Sequence, residues 1–302
     1  MRCPNPTVDG FPCRACDACK INDRRLWTNR ILLESALHSS SVFLTLTYDD
    51  DHLPETQSAI GTLAPGDLKN FWKSLRKAIS PRKIRYYAVG EYGDETFRPH
   101  YHAIVFGYPS CEWGGTRKGI KGPCCVPCSV IASAWGKGHI ELGDVTPESA
   151  QYVAGYTLKK MTKDDDPRLQ RGNSFLHPEF SRKSLKPGLG AGMIPYLAAI
   201  PFSLDPVTDD VPSSITHGKK TLPLGRYLRQ RWRVHLGREK QTPKHAQLKI
   251  DEESMLPLRI RAKQNGTTVK EEIAIEAGNL LENLRRRLAI AKSKQIQQRK
   301  RL

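Results

Sequence analysis

Two histidines stand two residues apart in Arg98-Pro99-His100-Tyr101-His102, just ahead of the apolar run Ala103-Ile104-Val105-Phe106 that ends at Gly107. The stretch reads as a β-strand. Residues i and i+2 of a strand face the same side, so both imidazoles converge while Tyr101 points away. Two converging imidazoles are half of a metal site; two polar residues on a solvated face give the same pattern. The preceding strand, Arg85-Tyr86-Tyr87-Ala88-Val89-Gly90-Glu91-Tyr92, is joined to this one by a short polar turn. An antiparallel hairpin of the two puts Glu91 near His100 or His102.

A second group of reactive side chains follows about fifty residues later. Tyr152, Tyr156 and Lys160 are spaced four apart, so on a helix they share one face, with about 6 Å of rise from each to the next. Aromatic residues at this spacing form core stripes as readily as active sites. A lysine in the same row, and Gly155, which weakens the helix by roughly 1 kcal/mol, fit a core less well. A glycine there also permits close approach of another backbone or of a DNA strand.

These groups together describe phosphodiester chemistry. A divalent ion, Mg²⁺ or Mn²⁺, held by His100, His102 and a carboxylate polarises a scissile phosphate. Lys160 neutralises charge developing on it. A tyrosine hydroxyl, with an unperturbed pKa near 10, attacks and keeps the phosphate as a phosphotyrosine link. Tyr156 lies equally near Tyr152 and Lys160, which favours it for the first cut.

The eight cysteines form two groups. Cys13-x-x-Cys16-x-x-Cys19 makes a tight thiolate knuckle, and Cys3 supplies the fourth ligand of a tetrahedral structural zinc. An iron–sulfur cluster and unligated thiols are the alternatives. Cys111, Cys124, Cys125 and Cys128 offer a second zinc site with irregular spacing. No apolar signal core opens the chain, so the expectation is a reducing compartment with ligands or free thiols rather than disulfides.

The elements that must position these residues follow from patterning. Residues 21–38 read as a helix with Leu26, Arg30, Leu33 and Leu37 near one face and a basic side of Arg24, Arg25 and Arg30. Ser41 to Tyr48 is a strand with Phe43, Thr45 and Thr47 on one face and Val42, Leu44, Leu46 and Tyr48 on the other. A helix with Asp67 as its N-cap carries Leu68, Phe71, Trp72, Leu75 and Ile79 and stops before Pro81. Residues 108–138, rich in Gly, Pro and Cys, read as an insertion. His139 to Leu142 is a short strand, and Thr146-Pro147 opens a helix that runs to about Met161. Residues 170–220 show no firm periodicity. A short basic helix covers part of 221–240, and a long one covers 268–301, whose tail from Arg285 to Arg301 holds eight Lys or Arg and no acid.

Composition bounds the partners. The formal charge of +17 points to a polyanion, first of all nucleic acid. With 38% hydrophobic residues the chain is globular, and no run of 18 apolar residues spans a membrane.

His100-Tyr101-His102 followed by Tyr152-x-x-x-Tyr156-x-x-x-Lys160 resembles the HUH endonucleases, the rolling-circle replication initiators, in their two-tyrosine form. The Cys-x-x-Cys-x-x-Cys opening, the Phe43-Leu44-Thr45-Leu46-Thr47-Tyr48 strand, Gly90-Glu91-Tyr92-Gly93 and Arg98-Pro99-His100-Tyr101-His102 come in the order of the microvirus initiators of the gokushovirus type. The resemblance covers about residues 1–165. It implies an α+β fold, a central antiparallel sheet of about five strands with packed helices. The Cys-rich knuckle of 1–30 would precede an endonuclease domain of 31–165, then a Pro/Gly-rich region 166–265 and a basic amphipathic helix 266–302. It implies Glu91 as third metal ligand, with Asp49 as competitor. It further implies that one tyrosine nicks single-stranded origin DNA in the host bacterial cytoplasm, leaving a 3′-hydroxyl for the host polymerase and helicase, and that the second cuts after one round so that the strands are rejoined. The readings that compete are a non-catalytic, zinc-stabilised DNA-binding protein of the same fold, and a plasmid relaxase or transposase relative.

Overall fold

The computed structural model describes residues 3–4, 12–55, 61–93, 96–116, 122–155, 167–171, 174–201, 204–279, 282–283 and 286. The chain divides into two compact units: residues 24–203 with 212–238, and residues 1–23 with 204–211 and 239–302.

The larger unit is built on α1 (Asp17–Ser35), β1 (Ser41–Thr47), α2 (Pro65–Ala78), β2 (Arg85–Tyr92), β3 (Pro99–Phe106), α3 (Val126–Trp135), β4 (Ile140–Asp144) and α4 (Pro147–Gly155). A hairpin of the two-residue strands β5 (Gln170–Arg171) and β6 (Ser174–Phe175) precedes β7 (Phe180–Lys183). Five strands form one antiparallel sheet in the order β4-β1-β3-β2-β7. The expected α+β fold with a five-stranded antiparallel sheet is the one observed.

Alternation along the strands sorts the two faces. Val42, Leu44, Leu46, Tyr101, Ala103 and Val105 are buried against Leu68, Phe71, Trp72 and Leu75 of α2 and against Ile131 and Trp135 of α3. Each of the large apolar side chains of α2 stabilises by roughly 1.5–3 kcal/mol when fully buried. Tyr87, Val89, Ile104 and Phe106 face the other way, onto Ile31 of α1 and Ala150, Val153 and Ala154 of α4. A helix–sheet–helix arrangement results, and the second face is the one that carries the histidines.

Three elements differ from expectation. Residues 108–138 contain α3, whose Cys128, Ile131 and Trp135 are buried at helical spacing. Asp67 does not cap α2; the cap position is Ala64, and Asp67 in the first turn accepts a hydrogen bond from Tyr48 Oη instead. The featureless stretch after 170 supplies β7, then α5 (Ile194–Ala198), the hairpin β8 (Ser214–His217) and β9 (Lys220–Pro223), and α6 (Gly225–His235). Leu228 and Trp232 of α6 are buried, so its aromatic and basic residues form an ordinary packing helix.

In the smaller unit, α7 (Lys244–Asn265) contains Pro257 and ends at Gly266 in the left-handed conformation. Residues 269–279 are helical. Their start is fixed by reciprocal bonds, Glu271 N–H to Thr268 Oγ1 and Thr268 N–H to the Glu271 carboxylate, the capping-box pattern. Of the stripe expected there, Ile273 and Ala277 are described; Leu280, Leu281, Leu284, Leu288 and Ala291 lie outside the described residues.

A buried tyrosine pair ties α2 to the sheet. Tyr101 Oη lies 2.9 Å from Tyr48 Oη, donates to Ala64 C=O and accepts from Ala64 N–H. Burial pushes the Tyr101 phenol up to about 12, which keeps it a neutral donor. Tyr101→Phe leaves those groups unpartnered and is expected to cost about 1–3 kcal/mol. A urea titration checks this: the midpoint falls at constant slope, whereas an unchanged midpoint contradicts the role.

Candidate functional site

The antiparallel register of β2 and β3 pairs Glu91 with His100 and Val89 with His102. On the other side of β3, β1 pairs Thr47 with His100 and Thr45 with His102. Period two then places Glu91, His100, His102, Thr45 and Thr47 on one face. Glu91 Oε1 is 2.7 Å from His100 Nε2 and 3.2 Å from His102 Nε2. The three ligand atoms lie within 4.8 Å of one another, a group able to hold a metal ion. Asp49 is elsewhere: its carboxylate is engaged by the His52 ring at 2.6 Å.

The outer nitrogens of both rings are occupied. His100 Nδ1 donates to the Arg98 carbonyl at 3.1 Å, and His102 Nδ1 meets Thr45 Oγ1 at 3.0 Å. Each ring thus turns Nε2 toward the carboxylate, the arrangement in which an outer partner fixes a metal-binding imidazole. In the sequence Thr45 shows only as a polar residue on the mixed face of β1. The register with His102 is what gives it a role.

Charge in the trio is set by burial against pairing. Burial works to raise the Glu91 carboxyl, but hydrogen bonds and charge from both histidines hold it below its usual value. Burial works to lower His100, and the Glu91 bond outweighs it, so His100 is raised. For the more buried His102 desolvation prevails and the ring is lowered, which favours the neutral, ligating form.

The tyrosine helix borders this trio. Thr146 and Ser149 bond reciprocally at its start, N–H to side-chain oxygen at 2.8 and 3.1 Å, as the hydroxyl cap predicts. Ala150, Val153 and Ala154 face the core. Tyr152 does not: it is 49% exposed, and its ring meets the rings of His102 at 5.5 Å and Phe43 at 6.1 Å edge-on. A core stripe therefore does not describe Tyr152. Gly155 approaches no other backbone; a Cβ there would meet the Arg24 side chain at 3.6 Å, an ordinary contact. Tyr156 and Lys160, and the helix beyond Gly155, lie outside the described residues.

Both cysteine groups are assembled as thiols rather than disulfides. In the smaller unit, Cys3 and Cys16 sulfurs are 3.7 Å apart and those of Cys13 and Cys19 3.9 Å. In the larger unit, Cys111–Cys124, Cys124–Cys128 and Cys111–Cys125 are 3.6, 3.6 and 3.7 Å apart. Four sulfurs bound at about 2.3 Å to one tetrahedral ion stand about 3.8 Å apart, so both groups are compatible with zinc. Backbone N–H groups of Cys16 and Ala15 pull Cys13 down to about 6, while burial pushes Cys19 up to about 12. The second group, irregular in its sequence spacing, is closed by folding: α3 brings Cys128 back beneath the loop that carries Cys111.

With the geometry in place, comparison with known proteins is informative. Residues 41–164 match the family model of the replication-associated proteins of the ORF2 and gene-2-protein type. The chain is 35% identical over 163 residues to replication-associated protein VP4 of Bdellovibrio phage phiMH2K, covering 52% of this chain and 50% of that protein. It is 36% identical over 185 residues to replication-associated protein ORF2 of Spiroplasma virus 4, covering 60% and 56%. The chain thus spans about half the length of these relatives. No solved structure matches. These findings support the resemblance to microvirus-type replication initiators.

The matched segment contains the trio and Tyr152, so the geometry gives a direct expectation. Thr45→Val preserves shape and removes the partner of His102 Nδ1. Mn²⁺ affinity, followed by the loss of the free-ion paramagnetic signal, is expected to fall roughly 10–100-fold. Unaltered affinity contradicts the positioning role of Thr45.

Proposed function

We propose that this chain is a replication initiator that nicks and rejoins single-stranded origin DNA through a tyrosine nucleophile, with a divalent ion at Glu91, His100 and His102. The observation that carries this reading is the solvent-exposed Tyr152 ring set 5.5 Å from the His102 ring of the trio. A DNA-binding protein without catalysis needs neither the trio nor an exposed tyrosine beside it.

The residues divide the work. Glu91, His100 and His102 would hold Mg²⁺ or Mn²⁺. That ion would supply Lewis-acid polarisation of the scissile phosphate. Thr45 and the Arg98 carbonyl fix the two rings. Tyr152 or Tyr156 loses its phenolic proton to solvent and attacks phosphorus. The new Tyr–O–P bond replaces the P–O3′ bond, and the departing 3′ oxygen takes up a proton. The link is an ester of comparable energy, so the strand can be resealed by the reverse attack of a 3′-hydroxyl. Lys160 would stand beside the phosphate and offset its charge. Two tyrosines one helical turn apart would allow one to hold a 5′ end while the other cuts the regenerated origin, with host polymerase and helicase copying the strand between the cuts in the bacterial cytoplasm.

Zinc at each four-cysteine group would be structural. The second group would pin the loop before α3 to the sheet edge. There Thr116 N–H donates to Leu142 C=O, and Thr116 Oγ1 accepts from Leu142 N–H and lies 3.4 Å from Cys128 Sγ.

Two measurements test the reading. On denaturing gels with circular single-stranded DNA and Mn²⁺, the wild-type chain is expected to form a covalent adduct. His102→Ala should bind DNA but not cleave it. Each single Tyr→Phe variant should keep some adduct, and Tyr152→Phe/Tyr156→Phe should form none. Normal cleavage by His102→Ala, or an adduct in the double variant, contradicts the assignment. Elemental analysis should find two zinc ions per chain. Iron, or no metal, excludes structural zinc.

A further inference from the structure

A cavity of about 470 Å³ opens beside α4, between α1 and the β8–β9 hairpin. Its volume lies within the roughly 300–1,000 Å³ of small-ligand pockets. Leu32, Leu222 and Pro147 give it apolar walls. Arg24, Arg25, Lys219 and Lys220 line it as well, against a single carboxylate, Glu148, which lies 3.6 Å from Lys220. The hairpin is anchored there by Arg25, which donates to the Thr221 carbonyl at 2.9 Å. A buried network holds its far end: Asn29 donates to Pro223 C=O and accepts from His217 Nε2 at 2.7 Å. The Nδ1 of His217 is thereby left as an acceptor.

Arg24 adds an independent observation. Its Nε is buried and has no hydrogen-bond partner among the described residues. A buried donor without a partner costs about 1–3 kcal/mol, more when charged. An anionic ligand oxygen removes that cost.

We propose that this cavity binds one unpaired nucleotide of the single-stranded DNA held at Tyr152, its base between the Leu32 and Leu222 walls and its phosphate on the arginine and lysine side chains. The inference rests on the proposed function and adds a recognition subsite to it. Position supports it. Gln151, which lines the cavity, is the chain neighbour of Tyr152, and Glu148 lies one turn before it, about 6 Å along the helix axis. A strand with one phosphate at the trio therefore passes this opening within a few nucleotides. An apolar slot with cationic groups matches a base face and a phosphate together. Only an unstacked base can enter, so the subsite selects single strands over duplex. Gln151, Glu148 and His217 offer donors and acceptors to a base edge, which a purely electrostatic groove lacks. Most of the site, namely α1 and the hairpin, lies outside residues 41–164 of the family match.

Photocrosslinking tests this on the full chain. The probe is an oligothymidylate of about twenty nucleotides, longer than the roughly 4–16 nucleotides such surfaces cover, carrying one iododeoxyuridine at successive positions. Irradiation and peptide mapping are expected to place a crosslink on His217. Leu222→Trp, which fills the cavity, should abolish that crosslink. Lys219→Glu/Lys220→Glu, a change on the exposed hairpin, is expected to lower affinity for the same oligonucleotide about tenfold at low salt. Binding with crosslinks only outside the cavity walls, or affinity unchanged by the double lysine variant, overturns the subsite and leaves the proposed function standing. A wild-type chain that binds no single strand overturns both.

Discussion

The pairing register of β2 with β3 is the constraint on which the site depends. Glu91 stands opposite His100, and His102 reaches the same carboxylate because a strand returns to one face every second residue. A slip of one residue would send both imidazoles to the α2 face and Tyr101 to the α4 face. The tyrosine lattice opposes such a slip. Tyr101 is locked to Ala64 and Tyr48 beneath α2, so the side chain between the two histidines fixes their face from the opposite layer. Metal-site geometry and core packing are thus two sides of the same three residues.

The edges of that sheet are covered by different means. On the β4 side, the loop with Thr116 and Gly115 adds backbone pairing to Leu142 and Gly143, and the second cysteine group draws α3 over it. On the β2 side, β7 pairs with residues 87–90 and completes the sheet. Covering edges in this way removes the open ladder that invites unwanted strand addition. It also leaves the α4 end of the histidine face as the accessible approach to the trio, where Tyr152 stands exposed.

Much of this was legible in the sequence because the signals were periodic. The alternation of Val42, Leu44 and Leu46, the three-to-four spacing in α2 and the His-x-His strand each name an element and a face. Their agreement gives the hairpin that brings Glu91 to the histidines. The helix α3 was hidden because its cysteines and Pro127 read as loop chemistry, although Cys128, Ile131 and Trp135 keep helical spacing. Strand β7, Phe180-Ser181-Arg182-Lys183, carries too little apolar alternation to announce itself; it is a strand because β2 offers it a partner. Thr45 could not be singled out without the register, and the cavity beside α4 is assembled from three segments far apart in sequence.

The central claim is that the exposed tyrosine beside the trio becomes covalently attached to DNA. The most direct measurement is mass spectrometry of the chain after incubation with circular single-stranded DNA and Mn²⁺, followed by nuclease and protease digestion. The account predicts a peptide spanning Tyr152 and Tyr156 that carries a nucleotide through a phosphotyrosine bond, and no such peptide from His102→Ala. A nucleotide-bearing peptide from any other part of the chain, or the same adduct in the histidine variant, would contradict it.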